Sequence, residues 1–156
     1  QEACDNGFDE AIFLNEDGQV AEGSAMNIFL VRNGRLHTPP ASANILEGIT
    51  RATVLELARA ELGVDTEIRP IDRSELYQAE ELFFCGTMAE VVAIGSVDHR
   101  PVGDGAAGPL TRRLQELFFQ VVRGGLPQYA GWLTPVYQDG TDDPDRLIPT
   151  PCEAQV

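Results

Sequence analysis

The amino-acid sequence predicts an α+β fold: a largely antiparallel sheet with helices packed against it. Three observations carry this reading. Two segments repeat apolar residues at helical spacing, and several short apolar runs are set apart by turn residues. Their order also lacks the regular strand–helix alternation of a doubly wound parallel domain. At 156 residues the chain is the size of one domain or a large part of one.

Taken in order, residues 1–8 read as the tail of a helix closed by Asn6-Gly7, so the chain begins in mid-element and something upstream is expected. "AIFLN" (11–15) reads as a buried strand and "EDG" (16–18) as a turn. "QVAEG" leads into "NIFLVRN" (27–33), a strand, and Asn33-Gly34 is the strongest hairpin signal in the chain. "RLHTP" returns from that turn, and Pro39-Pro40 ends it. Over 50–62 the pattern turns helical. Val54, Leu57, Ala58, Glu61 and Leu62 share a face, and Gly63 supplies the C-cap.

Residues 64–71 read as a strand. Asp72 and Glu75 form a capping box for a short helix at 73–79. "ELFFCGT" (81–87) is a buried strand ending in a glycine turn, and 90–97 with 99–103 form a meander. Pro109 opens a last helix whose stripe is Leu110, Leu114, Leu117, Phe118 and Val121. From Gln138 the composition becomes polar and rich in Pro and Gly. The division is therefore a domain at 1–137 and a solvated tail at 138–156.

A net charge of −14 argues against nucleic acid or an anionic membrane as partner, since both require a basic face. No apolar run approaches the ~18 residues of a spanning helix, and no signal peptide is visible, which points to the cytoplasm. Cys4, Cys85 and Cys152 lack CxxC spacing, and His37 and His99 have no ligand pattern beside them, so no metal is expected. Every basic residue is arginine, and the chain contains no lysine.

A small anion remains open, because local N–H groups can bind one whatever the net charge. In "LEGITRAT" (46–53), Gly48 stands where a helix begins, with Ile49 and Thr50 in its first turn. The first N–H groups of a helix have no internal partner, and the helix dipole favours negative charge there. Gly86-Thr87 follows a buried strand and can present outward-facing N–H groups. Glu22 stands between strands in apolar surroundings and needs a partner if buried. "GDGAAG" (103–108) matches the G-x-G-x-x-G pattern. It lacks a second parallel strand and a following acidic residue, so it reads as a connection into a Pro-started helix rather than a dinucleotide site. Two anion seats and a lone carboxylate together suit a flat phosphorylated cation.

At these residues the sequence resembles the fold-type IV, pyridoxal 5'-phosphate-dependent aminotransferases, most closely the branched-chain amino acid aminotransferases. The resemblance rests on "DEAIFL", "VAEGSAMNIFLVRNG", "HTPP", "ILEGITR", "AEELFFCGTMAE" and "GDGAAGPLTRRLQE", in family order over about Glu10 to Trp132. It implies that the anion is the phosphate of pyridoxal 5'-phosphate, held by backbone N–H groups of Ile49 and Thr50 and by Thr87. It also implies that Glu22 binds the pyridine nitrogen, that Leu46 packs on the ring, and that the N–H groups of Thr87 and Met88 meet the substrate carboxylate. The resemblance further implies that the sheet forms a pseudo-barrel with packed helices, as in the large domain of that family, that the substrates are branched-chain L-amino acids and 2-oxoglutarate, and that the enzyme is a homodimer.

Departures stand at Ala25 and Met26, where many bacterial members carry Gly and Glu, and in "AEVVAI", which lacks the common Thr-Pro. The family's Schiff-base lysine is expected upstream of Gln1, together with a small N-terminal domain, so no catalytic residue is assigned within the chain. D-amino acid aminotransferases and aminodeoxychorismate lyases share the fold and stay open as alternatives, as does a non-catalytic, lysine-free ligand-binding domain.

Overall fold

The computed structural model describes residues 1–134; the tail at 138–156 lies outside the described residues. Its centre is a five-stranded sheet of β1 (Asn27–Arg32), β2 (Arg35–Thr38), β3 (Thr66–Ile68), β4 (Glu81–Gly86) and β5 (Glu90–Ala93), in the order β3-β2-β1-β4-β5. Only the β2–β3 pair is parallel. A separate two-stranded ladder joins β6 (Ser96–Val97) to β7 (Arg100–Pro101). The helices are α1 (Glu2–Asp5), α2 (Ile49–Ala60) and α3 (Pro109–Val122), with 3-10 turns at Ala41–Ala43, Arg73–Gln78 and Pro127–Trp132.

The two central strands explain the placement of everything else. In β1 and β4 nearly every residue is buried, because both faces of the sheet are covered. Successive side chains alternate between faces. Phe29, Val31, Phe83 and Cys85 therefore join Val54, Leu57, Leu114 and Phe118 of α2 and α3 in one cluster. Ile28, Leu30, Leu82 and Phe84 point the other way, into a second cluster with Val20, Ile71, Leu76 and Val102. Register pairs Phe29 with Phe83, whose rings stack at 5.0 Å. Burying each such ring contributes roughly 1.5–3 kcal/mol. Asn33 and Gly34 both have positive φ, 52° and 68°, as a two-residue hairpin turn with matching twist requires.

Several elements differ from the sequence expectation. Residues 11–15 do not form a strand; an isolated bridge, Leu14 to Val20, stands in its place. The expected strand at 64–71 pairs only over Thr66–Ile68, because β2, its parallel neighbour, is itself four residues long. Helix α2 stops at Ala60, with Glu61 at the cap position and Gly63 in the left-handed region two residues later. The capping box of Asp72 and Glu75 is present, but the helix it starts is a 3-10 turn.

Candidate active site

The G-x-G-x-x-G segment illustrates what an anion seat looks like when the protein fills it. Glu81, almost fully buried at the start of β4, accepts hydrogen bonds from the N–H of Leu110 (3.0 Å), the N–H of Thr111 (2.8 Å) and the Thr111 hydroxyl (2.7 Å). The N-terminus of α3 thus holds an internal carboxylate. A Cβ at Gly108 would collide with that carboxylate, so glycine stands there for packing. The first free N–H groups of this helix are therefore already satisfied from within the protein.

The N-terminus of α2 is the opposite case. Its N-cap is Gly48, in extended conformation, and among the described residues no side chain accepts a hydrogen bond from its first N–H groups. It opens on a cavity of about 510 Å³. The structure gathers Glu22, Leu46, Gly48, Ile49, Thr50 and Thr87 around this one cavity, although they come from three separate parts of the chain. Met88 is not part of the lining; it lies beside it in the turn after β4, 96% exposed. Ala25 and Met26 also line the cavity.

Glu22 is half-buried and anchored on one side. Its Oε2 accepts hydrogen bonds from Asn27 Nδ2 (3.0 Å) and from the Leu46 N–H (3.0 Å), while Oε1 has no partner among the described residues. Asn27 Nδ2 also donates to the Leu46 carbonyl at 2.7 Å. Asn27 was not singled out by sequence reasoning, although it closes the "SAMN" motif; the signal was an amide opening a strand whose next four residues are apolar.

In the first turn of α2, Arg51 is buried with its Nε donating to Thr38 Oγ1 (3.2 Å) and its Nη2 to the Pro39 carbonyl (2.9 Å). Thr38 in turn donates to the Ile28 carbonyl. Burial lowers the Arg51 pKa from its ordinary value, opposed by the thiol of Cys85 and the carboxylate of Glu47; a guanidinium nevertheless keeps its charge. Cys85 also lines the cavity, but burial pushes its thiol up to about 12, with Arg51 pulling the other way. A thiol with that pKa is not a nucleophile at neutral pH.

A second hollow, of about 590 Å³, lies against residues Gln1 to Glu10 and His99. It is lined by Gln1 and by the short α1, and none of the residues singled out as anion seats lines it. Among the described residues there is no cluster suited to a metal ion, and no helix is long and apolar enough to cross a membrane.

The family model of class IV aminotransferases matches residues 1–97, and the chain belongs to that family. A probable branched-chain-amino-acid aminotransferase of Aquifex aeolicus is 53% identical over 136 residues, which are 87% of this chain and 44% of the relative. A crystal structure of the branched-chain amino acid aminotransferase from Thermobaculum terrenum in its PLP form superposes with a TM-score of 0.85 at 49% identity, covering 87% of this chain and 44% of that one. A T.th. branched-chain amino acid aminotransferase, complexed with N-(5'-phosphopyridoxyl)-L-glutamate, gives a TM-score of 0.82 at 44% identity, covering 85% of this chain and 45% of that one. The chain spans less than half the length of these relatives.

Proposed function

We propose that this chain is the cofactor-binding portion of a pyridoxal 5'-phosphate-dependent branched-chain amino acid aminotransferase, passing an amino group from leucine, isoleucine or valine to 2-oxoglutarate. One observation carries the reading. Among the described residues, a helix N-terminus without a side-chain cap and a carboxylate with one unpartnered oxygen line the same cavity, which is the pair of partners that a phosphate and a protonated ring nitrogen need. The similar structures support it, since those enzymes were solved with the cofactor or its glutamate adduct.

In this reading the N–H groups of Ile49 and Thr50 and the hydroxyl of Thr87 bind the phosphate. Leu46, 75% exposed, covers one face of the ring. Glu22 Oε1 accepts the ring N–H and keeps that proton in place. The N–H groups of Thr87 and Met88 hold the substrate carboxylate. The cofactor supplies an electron sink for charge developing on the substrate's α-carbon. The covalent lysine comes from outside these residues. The exposed apolar side chains of Leu46, Ile49 and Met88 support a site covered by the rest of the enzyme and by a second subunit, in a homodimer. Among the described residues the thiols of Cys4 and Cys85 are free, which fits a reducing cytoplasm.

Glu22→Gln in the intact enzyme tests the assignment. A neutral amide does not hold the ring nitrogen protonated, so the variant folds but loses roughly 10²–10³ in kcat, the usual size of such an electrostatic loss. Transamination at a near wild-type kcat would remove Glu22 from the role.

A further inference from the structure

We propose that Asn27 is the positioning residue of this site. Its side-chain amide locks the Glu22 carboxylate to Leu46 and to the start of α2, and it acts on the cofactor only through Glu22. The proposal rests on the reading that Glu22 meets the ring nitrogen.

Asn27 is the first residue of β1, 6% exposed, and backbone pairing fixes it twice: against Cys85 of β4, and against Glu22 through an isolated bridge. Its amide has a single workable orientation. The two atoms facing Nδ2 are a carboxylate oxygen, Glu22 Oε2, and a backbone carbonyl, that of Leu46, and neither can donate. Both N–H donors of the amide are therefore used. Turned over, the amide would set its own oxygen against two acceptors.

That orientation sends Oδ1 toward Gly48. A Cβ at Gly48 would fall well inside contact distance of Oδ1, so the amide oxygen occupies the space of the missing side chain. The Leu46 N–H closes the ring by donating to the same Glu22 oxygen. One buried side chain thus joins the carboxylate, the residue that covers the ring and the N-cap of the phosphate helix. It also leaves Glu22 Oε1 as the free acceptor.

The test measures binding to the apo form of the intact enzyme. The ligands are pyridoxamine 5'-phosphate, which makes no covalent bond to the protein, and its 1-deaza analogue, in which CH replaces the ring nitrogen. Asn27→Ala is expected to weaken the first ligand roughly tenfold or more, the scale of a lost hydrogen bond to a charged group, and the second less than about twofold. Gly48→Ala, whose methyl group displaces the amide without removing it, is expected to give the same selective loss. It serves as the deciding variant should Asn27→Ala fail to fold. Equal weakening of both ligands means that Asn27 only supports the fold, and it overturns the proposal, as does unchanged binding of both. A wild-type enzyme that binds the two ligands equally refutes the Glu22 reading and this proposal with it. A wild type that discriminates, with variants that discriminate unchanged, refutes this proposal alone.

Discussion

Glu75 shows how a single side chain can serve two levels of structure. It closes the capping box by accepting from the Asp72 N–H at 3.1 Å, and it binds Arg69 through both oxygens at 2.9 and 2.7 Å and Arg32 at 3.2 Å. The Arg69 hydrogen bonds hold its carboxyl down at about 2, against a partial opposing effect of burial, from an ordinary 4.5. A depressed carboxylate stabilises the fold fully above its unfolded pKa, and that contribution disappears as pH falls through the folded value. The window here runs from 4.5 down to about 2. Glu75→Gln is therefore expected to cost about 2 kcal/mol at pH 7, and the gap to wild type should close as pH approaches 2. Urea denaturation across that range measures it. A gap that stays constant to the bottom of the range means that the arginine pairs contribute nothing there.

At the scale of elements, the two long helices start alike and end up doing different things. Both follow a glycine N-cap in extended conformation, and neither is capped by that residue's side chain. The difference is that β4 brings Glu81 under the first turn of α3, where charge, dipole and three donors meet. Glu81→Gln keeps the shape but replaces an acceptor with a donor facing two N–H groups and a hydroxyl. It is expected to cost roughly 2–3 kcal/mol, read from the denaturation midpoint. A cost below about 0.5 kcal/mol would show that this carboxylate is not the cap. The Asn33-Gly34 hairpin, both helices and the Asp72/Glu75 box were legible in the sequence because each depends on residues a few positions apart. Glu81 as a cap was not, since its partners lie 29 and 30 positions away and only strand pairing brings them near. Asn27 was hidden for a mixed reason: Glu22 lies only five positions away, but Leu46, which fixes the orientation of the amide, lies 19 positions away. Segment 11–15 defeats a sequence reading because an apolar run does not by itself show whether a neighbouring strand exists to pair with it.

For the molecule as a whole, the decisive feature is chemical. The residues proposed for the site line one cavity, yet no lysine stands anywhere in these 156 residues, so the chain's only primary amine is the N-terminal one of Gln1. Arginine cannot replace lysine, because its guanidinium stays protonated and is not a nucleophile. The chain alone is therefore expected to bind pyridoxal 5'-phosphate weakly, through the phosphate seat and Glu22, with no covalent bond to the protein and no turnover. Purified chain, first shown by circular dichroism to be folded, can be mixed with the cofactor, treated with borohydride and weighed by mass spectrometry. Leucine and 2-oxoglutarate are then added to an untreated sample and glutamate is measured. Unmodified mass and no glutamate are the expected results, while a chain carrying the cofactor's mass together with glutamate formation would mean that Gln1 reaches the cavity and serves as the amine. Supplying the upstream part of the enzyme as a separate polypeptide gives the converse measurement: activity should appear only in the mixture, and only when that second piece carries a lysine.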